Sequence, residues 1–137
     1  MLALLPGAPA ILTVVSLASF QAPAPGFPPW SAANACGPVG ATLSLGLVWA
    51  FGRIAAYGVP LLALLWTWNR IRGRAPGPLA LSSIMGALLL FEACTLAALG
   101  GLDRWTWAGT WGLAAASALH AALGGTGSWI VAAALFG

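Results

Sequence analysis

Apolar residues run along this chain in long blocks, broken by short polar or glycine- and proline-rich segments. The first block, 2–20, has Pro6 and Pro9 near its start, where a helix tolerates proline. Residues 21–37 hold four prolines and two glycines and predict a loop. Residues 38–69 then carry one charge, Arg53. As one straight helix these 32 residues would reach about 48 Å. A bilayer's hydrocarbon core is only about 30 Å thick, so the block has to bend or divide. A break near Gly52 and Arg53 leaves a short interfacial helix over 38–52 and a crossing over 54–69. Pro60 falls inside that crossing, where a kink is tolerable.

The segment NRIRGRAPGP, 69–78, predicts a tight basic turn. Residues 79–99 carry one charge, Glu92, and predict the next crossing. GLDRWTWA, 101–108, predicts a short loop. The remainder is uncharged and divides into an interfacial helix over 109–117 and a crossing over 118–137. The expected fold is an all-α integral membrane protein. Its four transmembrane helices form two duplicated hairpins, with short interfacial helices on the outer side.

Composition supports lipid as the solvent. Charged residues make up 5% of the 137 residues and apolar types 61%, where a soluble domain carries roughly 25% charge. The net charge of +3 rests on five arginines and no lysine. Three of the arginines fall in one turn, which is a loop signal and not a nucleic-acid face. The eight tryptophans stand beside apolar runs, as interface residues do. The N-terminal block has no basic residue before it, unlike a secretory signal. It reads as a first membrane helix from which a few natural N-terminal residues are missing.

Orientation follows from the arginines. Positive-inside logic puts Arg70, Arg72 and Arg74 in the cytoplasm, with both termini on that side. Trp66 and Trp68 then mark the inner boundary. Trp30, Trp105, Trp107 and Trp111 mark the outer one. Arg53 lies near the outer interface, where its guanidinium can snorkel to water.

Two stretches match at an offset of 72 residues: GPVGATLSLGLVWAFGRIAAY (37–57) and GTWGLAAASALHAALGGTGSW (109–129). Gly37, Gly40 and Gly52 pair with Gly109, Gly112 and Gly124, and Tyr57 pairs with Trp129. The physical reading is a hairpin used twice, in parallel through the membrane. In each copy the outer helix opens at GxxG and breaks at a glycine. The six glycines are candidate helix-packing positions, because small residues let membrane helices approach closely. The offset places the chain's end at, or just short of, the end of the fourth crossing. The chain therefore looks like a piece of a longer protein.

The stretch NACGPVGATLSLGLVWAFGRIAAYGVPLLALLWTWNRIRGR, 34–74, resembles the N-terminal four-helix membrane domain of the FtsK/SpoIIIE DNA translocases. Asn34, Gly37 to Gly40, Phe51-Gly52, Ala56-Tyr57, Pro60 and the Leu/Trp run ending in arginines carry the resemblance. Residues 112–136 resemble that family's last membrane segment more loosely. The resemblance implies a bacterial inner-membrane, multi-pass anchor acting in cell division and chromosome segregation. It also implies self-association into a homo-oligomer and contact with division proteins. DNA and ATP are partners only through a hexameric motor. That motor's phosphate loop, GxxxxGK[ST], does not occur in these residues.

The remaining chemistry is sparse. Glu92 is the one acid inside a predicted crossing and so a candidate intramembrane polar site. It also supports a competing reading, a small four-helix transporter or channel subunit. His120 has no Cys, Asp or Glu near it in sequence and reads as a polar interface residue. Arg70, Arg72 and Arg74 read as topology and lipid-headgroup residues. No nucleophilic triad, metal spacing or cofactor motif is present. Cys36 in a loop and Cys94 in an apolar run are poorly placed to bridge. The expectation is an anchor without catalysis of its own.

Overall fold

The structure, a computed structural model, describes residues 7–74 and 76–136. Among these residues the only regular secondary structure is helical, with five α-helices: α1 Gly7–Ala18, α2 Gly37–Phe51, α3 Gly58–Ile71, α4 Pro76–Leu99 and α5 Gly109–Phe136. A short 3₁₀ turn, Ala55–Tyr57, leads into α3, and another, Pro29–Ser31, sits in the proline-rich loop. α4 and α5 are long and apolar enough to cross a membrane. The bent pair α2 and α3 passes the same test when the two are taken together, with a 116° bend between them. α1 is apolar but has 12 described residues, about 18 Å of helix. Of the expected 2–20 crossing, residues 2–6 lie outside the described residues, and residues 19 and 20 follow the end of α1.

The length argument for a break after residue 51 is met at Gly52, whose φ of 79° and ψ of 160° end α2. Pro60 does not kink a crossing. It lies in the first turn of α3, buried, where its missing N–H would be unpaired in any helix. The basic turn is tighter than the sequence suggested. α3 runs on to Ile71, Gly73 turns the chain at φ 64°, and α4 opens at Pro76. The expected boundary between residues 117 and 118 falls inside continuous helix. α5 keeps its course from Gly109 to the non-helical Gly124, at φ 69° and ψ −179°.

α4 and α5 pack along each other, α1 packs on α2 and α3, and α2 joins the two groups by resting on α5. The buried interior is small: Leu17, Val48 and Ala56, with Phe20, Leu47 and Tyr57 around them. Outside it, large apolar side chains such as Ile11, Leu61, Leu81, Ile84, Leu88 and Ile130 face outward. A water-soluble chain of this size rarely shows so much contiguous apolar surface, whereas lipid covers it at no cost.

Candidate functional site

The candidate packing glycines fall into two junctions and one isolated position. At the first junction Gly37 opens α2 with φ 66°. One turn on, a methyl at Gly40 would stand 2.5 Å from the Cys36 Cβ and 2.7 Å from the Ser16 Oγ. At the second, Gly109 opens α5 with φ 61° and ψ −177°. Its missing side chain faces the backbone of Ala50 and Phe51. A methyl at Gly112 would stand 2.5 Å from the Cys94 carbonyl oxygen. Gly52 joins this second junction, since a methyl there would stand 2.8 Å from the Trp107 carbonyl carbon. Gly124 stands apart, with nothing within 4 Å of its would-be methyl.

The second junction is held by backbone pairing between segments far apart in sequence. The Arg53 N–H donates to the Trp105 carbonyl at 2.7 Å, and the Ile54 N–H donates to Thr106 at 3.0 Å. The Thr110 hydroxyl donates to the Trp49 carbonyl at 2.8 Å, and the Cys94 thiol donates to Phe51 at 3.3 Å. Residues 104–108 coil into one π-helical turn, with the Ala108 N–H donating to Asp103 at 3.3 Å. Asp103 caps that turn by accepting at its carboxylate from the Thr106 N–H at 2.7 Å, and hydrogen bonding from Thr106 holds its carboxyl below the usual range. The break in α2–α3 thus leaves polar backbone exposed, and the α4–α5 turn satisfies it.

Arg70, Arg72 and Arg74 are exposed at the opposite end, in and beside the α3–α4 turn. The Arg72 guanidinium lies over the Trp68 ring at 4.4 Å. The Trp66 indole N–H donates to the Ser83 hydroxyl at 2.8 Å, tying α3 to α4 just inside the basic turn. At the other end Arg104 sits near the Trp49 and Trp105 rings, at 5.9 and 5.3 Å. Each end therefore carries arginine with tryptophan, and the apolar helices lie between.

Glu92 lies on α4 in an apolar cleft against α5, with a volume of about 640 Å³. Its Oε1 is buried and has no hydrogen-bond partner among the described residues. His120, on α5, is exposed. The two cysteines are free, Cys94 buried and Cys36 half-buried. Among the described residues no group of His, Cys, Asp and Glu converges as a metal site would require.

The family model of the 4TM region of DNA translocase FtsK/SpoIIIE matches residues 1–137, the whole chain. The chain belongs to that family. It is the membrane domain of an FtsK/SpoIIIE-type protein, a multi-pass membrane chain. No curated protein and no solved structure matches it.

In this FtsK/SpoIIIE 4TM region one polar residue does more than its sequence context suggested. The Asn34 amide donates to the Ser16 carbonyl at 2.8 Å and to the Ser44 hydroxyl at 3.4 Å. Its Oδ1 accepts from the Cys36 N–H at 3.0 Å, and its carbonyl accepts from the Gly37 N–H at 2.9 Å. Asn34 therefore fastens the proline-rich loop to both α1 and α2. The local signal was an Asn three residues before the glycine that opens a helix, which is a turn-and-cap arrangement. Its long-range contact to Ser16 had no signal.

Proposed function

We propose that this chain is the membrane anchor of an FtsK-like DNA translocase. In this reading it inserts by four crossings arranged as two parallel hairpins. It holds a motor carried elsewhere in the translocase at the division site, for cell division and chromosome segregation. The family match over residues 1–137 carries the proposal. The shared conformation of Gly52 and Gly124 supports the duplication, because both break helices in a region of φ and ψ open only to glycine. The arginine turn supports a cytoplasmic α3–α4 connection in a bacterial inner membrane, with both termini on that side. Its guanidiniums then touch anionic headgroups, with Trp66 and Trp68 at the same boundary. The role is structural: insertion, helix packing, self-association and contact with division proteins.

The test is localisation. The full chain fused to a fluorescent protein in dividing bacteria is expected to concentrate at the septum. An even distribution around the cell membrane would overturn the targeting role while leaving insertion intact. The transporter reading draws on the four helices, the internal duplication and Glu92, the one acid it has inside a crossing. Unchanged proton flux in proteoliposomes carrying Glu92→Gln removes it.

A further inference from the structure

Two of the three glycines of α2 have structural reasons. Gly37 turns the chain at φ 66°, and Gly40 closes on Cys36 and Ser16. Gly46 has neither. It lies inside regular helix, and among the described residues nothing stands within 4 Å of its would-be methyl. Glycine in a helix interior costs stability relative to alanine, so the open space beside Gly46 needs a use.

Gly46 is the floor of a groove. Thr42, Leu45 and Trp49 line it beside Gly46 on one stripe of α2. Pro23 and Pro29 of the proline-rich loop form the facing wall. Trp105 of the α4–α5 turn lines the end near Arg53, whose backbone N–H donates to the Trp105 carbonyl. The Thr42 hydroxyl is engaged with the Pro38 carbonyl at 2.9 Å, so the walls offer little to a polar guest. The groove holds about 400 Å³. That is about one turn of a helix, taken as about 10 Å across with a pitch of about 5.4 Å. The space is too slight to bed a further helix and suits an acyl chain.

Charge gathers at one end of this groove. The Arg104 guanidinium lies 5.9 Å from the Trp49 ring and 5.3 Å from the Trp105 ring, the two indoles of the lining. Arg53 adjoins Trp105 through its backbone, and both arginines are exposed. Asp103 is the one acid at this end among the described residues, and its carboxylate is engaged as the cap on Thr106. Two cations against one acid leave one positive charge in excess. Trp30, Trp107 and Trp111 are exposed at the same end, as tryptophans at a membrane interface are. Phospholipid phosphates lie at that level of a bilayer.

We infer that the groove between the proline-rich loop and α2 seats one anionic phospholipid. One acyl chain lies over Gly46, and the phosphate accepts charge-assisted hydrogen bonds from the Arg104 guanidinium. A net negative headgroup matches the excess positive charge, whereas a zwitterionic one leaves it unbalanced. The inference rests on the anchor reading only in taking the chain as membrane-inserted.

The experiment is native mass spectrometry of the full chain in mild detergent, with dioleoylphosphatidylglycerol or dioleoylphosphatidylcholine added. The parent chain is expected to retain one phosphatidylglycerol in preference to phosphatidylcholine. Arg104→Gln should weaken that retention about fivefold, the worth of one arginine near a headgroup, and Arg104→Lys should keep most of it. Gly46→Leu fills the floor and should weaken retention by a similar factor. Gly46→Ala guards against misfolding, because alanine favours the helix. Its thermal stability should hold or rise while retention falls. Retention unchanged in folded Gly46→Leu or Gly46→Ala overturns the inference, and so does equal retention of phosphatidylcholine. Loss of retention in Arg70→Gln with Arg74→Gln, but not in Arg104→Gln, overturns it by moving the lipid to the α3–α4 turn. Glycerol phosphate competing as well as the lipid does the same, making free phosphate the ligand. In bilayers, phosphatidylglycerol with a photoactivatable acyl chain should label the parent chain between residues 42 and 49. Labelling confined to other segments overturns the site without any variant. Septal localisation of the parent chain is read separately, so failure of the anchor role and failure of this site are distinguishable.

Discussion

The backbone of Gly109 lies against Phe51 so closely that a methyl on Gly109 would stand 2.5 Å from the Phe51 Cα. Two chain segments separated by α3, α4 and the turn between them thus meet without a side chain between them. Gly109, Gly52 and Gly124 share one backbone region, positive φ with ψ near 180°, but differ in surroundings. Gly109→Ala and Gly52→Ala should each cost about 1–3 kcal/mol in backbone strain and a further about 1–3 kcal/mol in overpacking. Gly124→Ala faces open space and should cost only the strain, about 1–3 kcal/mol. Unfolding titrations in mixed micelles check the order. Equal losses at all three positions would mean that the Phe51 and Trp107 contacts contribute nothing.

That contrast also shows what the sequence could reveal. The break at Gly52 was legible because a 32-residue stretch with a single charge cannot fit straight through a bilayer. The basic turn was legible because arginine, glycine and proline stand together there. The pairing of Arg53 with Trp105 was not legible. It joins backbone groups some fifty residues apart, and backbone hydrogen bonds leave no mark on residue type. The Asn34 clamp was half legible, through its own turn but not through Ser16. The aligned repeat locates Gly124, the glycine that breaks α5, and says nothing of where lipid begins. Pro60 was misread because proline looks the same in a first turn as in a helix interior.

Trp66 and Ser83 make the only direct side-chain hydrogen bond between α3 and α4 among the described residues. Ser83→Ala leaves the indole N–H unpaired, and Trp66→Phe removes the donor. A double-mutant cycle should give a coupling of about 0.6–1.7 kcal/mol, the range for such bonds between membrane helices. Each single variant should cost more than the coupling, because packing is lost too. A coupling near zero would leave the tie between these helices to packing alone.

Asp103 makes the α4–α5 turn acid-sensitive. Its carboxyl is held below the ordinary value of 3.8 by the hydrogen bonds from Thr106. A depressed carboxyl stabilises the folded turn in full above the unfolded value. That contribution fades as pH falls through the lower, folded value. Amide exchange at Thr106 should therefore be slow and constant at neutral pH, after correction for intrinsic rates. It should accelerate only below about pH 4, where the unfolded carboxyl begins to protonate. Asp103→Asn should show the faster exchange at neutral pH and no acid transition. An acid transition that persists in Asp103→Asn would assign it to another group.

Arg70, Arg72 and Arg74 bear on the whole topology. Among the described residues the other cations are Arg53 and Arg104, and Arg104 has Asp103 beside it in the opposing turn. The α3–α4 turn therefore holds the charge excess that cytoplasmic loops carry. Its strength is limited, because three charges beside an apolar chain are the entire bias. Replacing Arg70 and Arg74 with Gln leaves Arg72, stacked on Trp68, as the only cation in the turn. Reporter fusions placed after residue 74 and after residue 102 should then shift from one orientation to a mixture of two. Adding two arginines to the 101–108 turn of that variant should push the mixture further toward inversion. An orientation that stays fixed through both changes would mean that helix packing at the Gly109 and Gly112 junction, and not charge, sets how this domain enters the membrane.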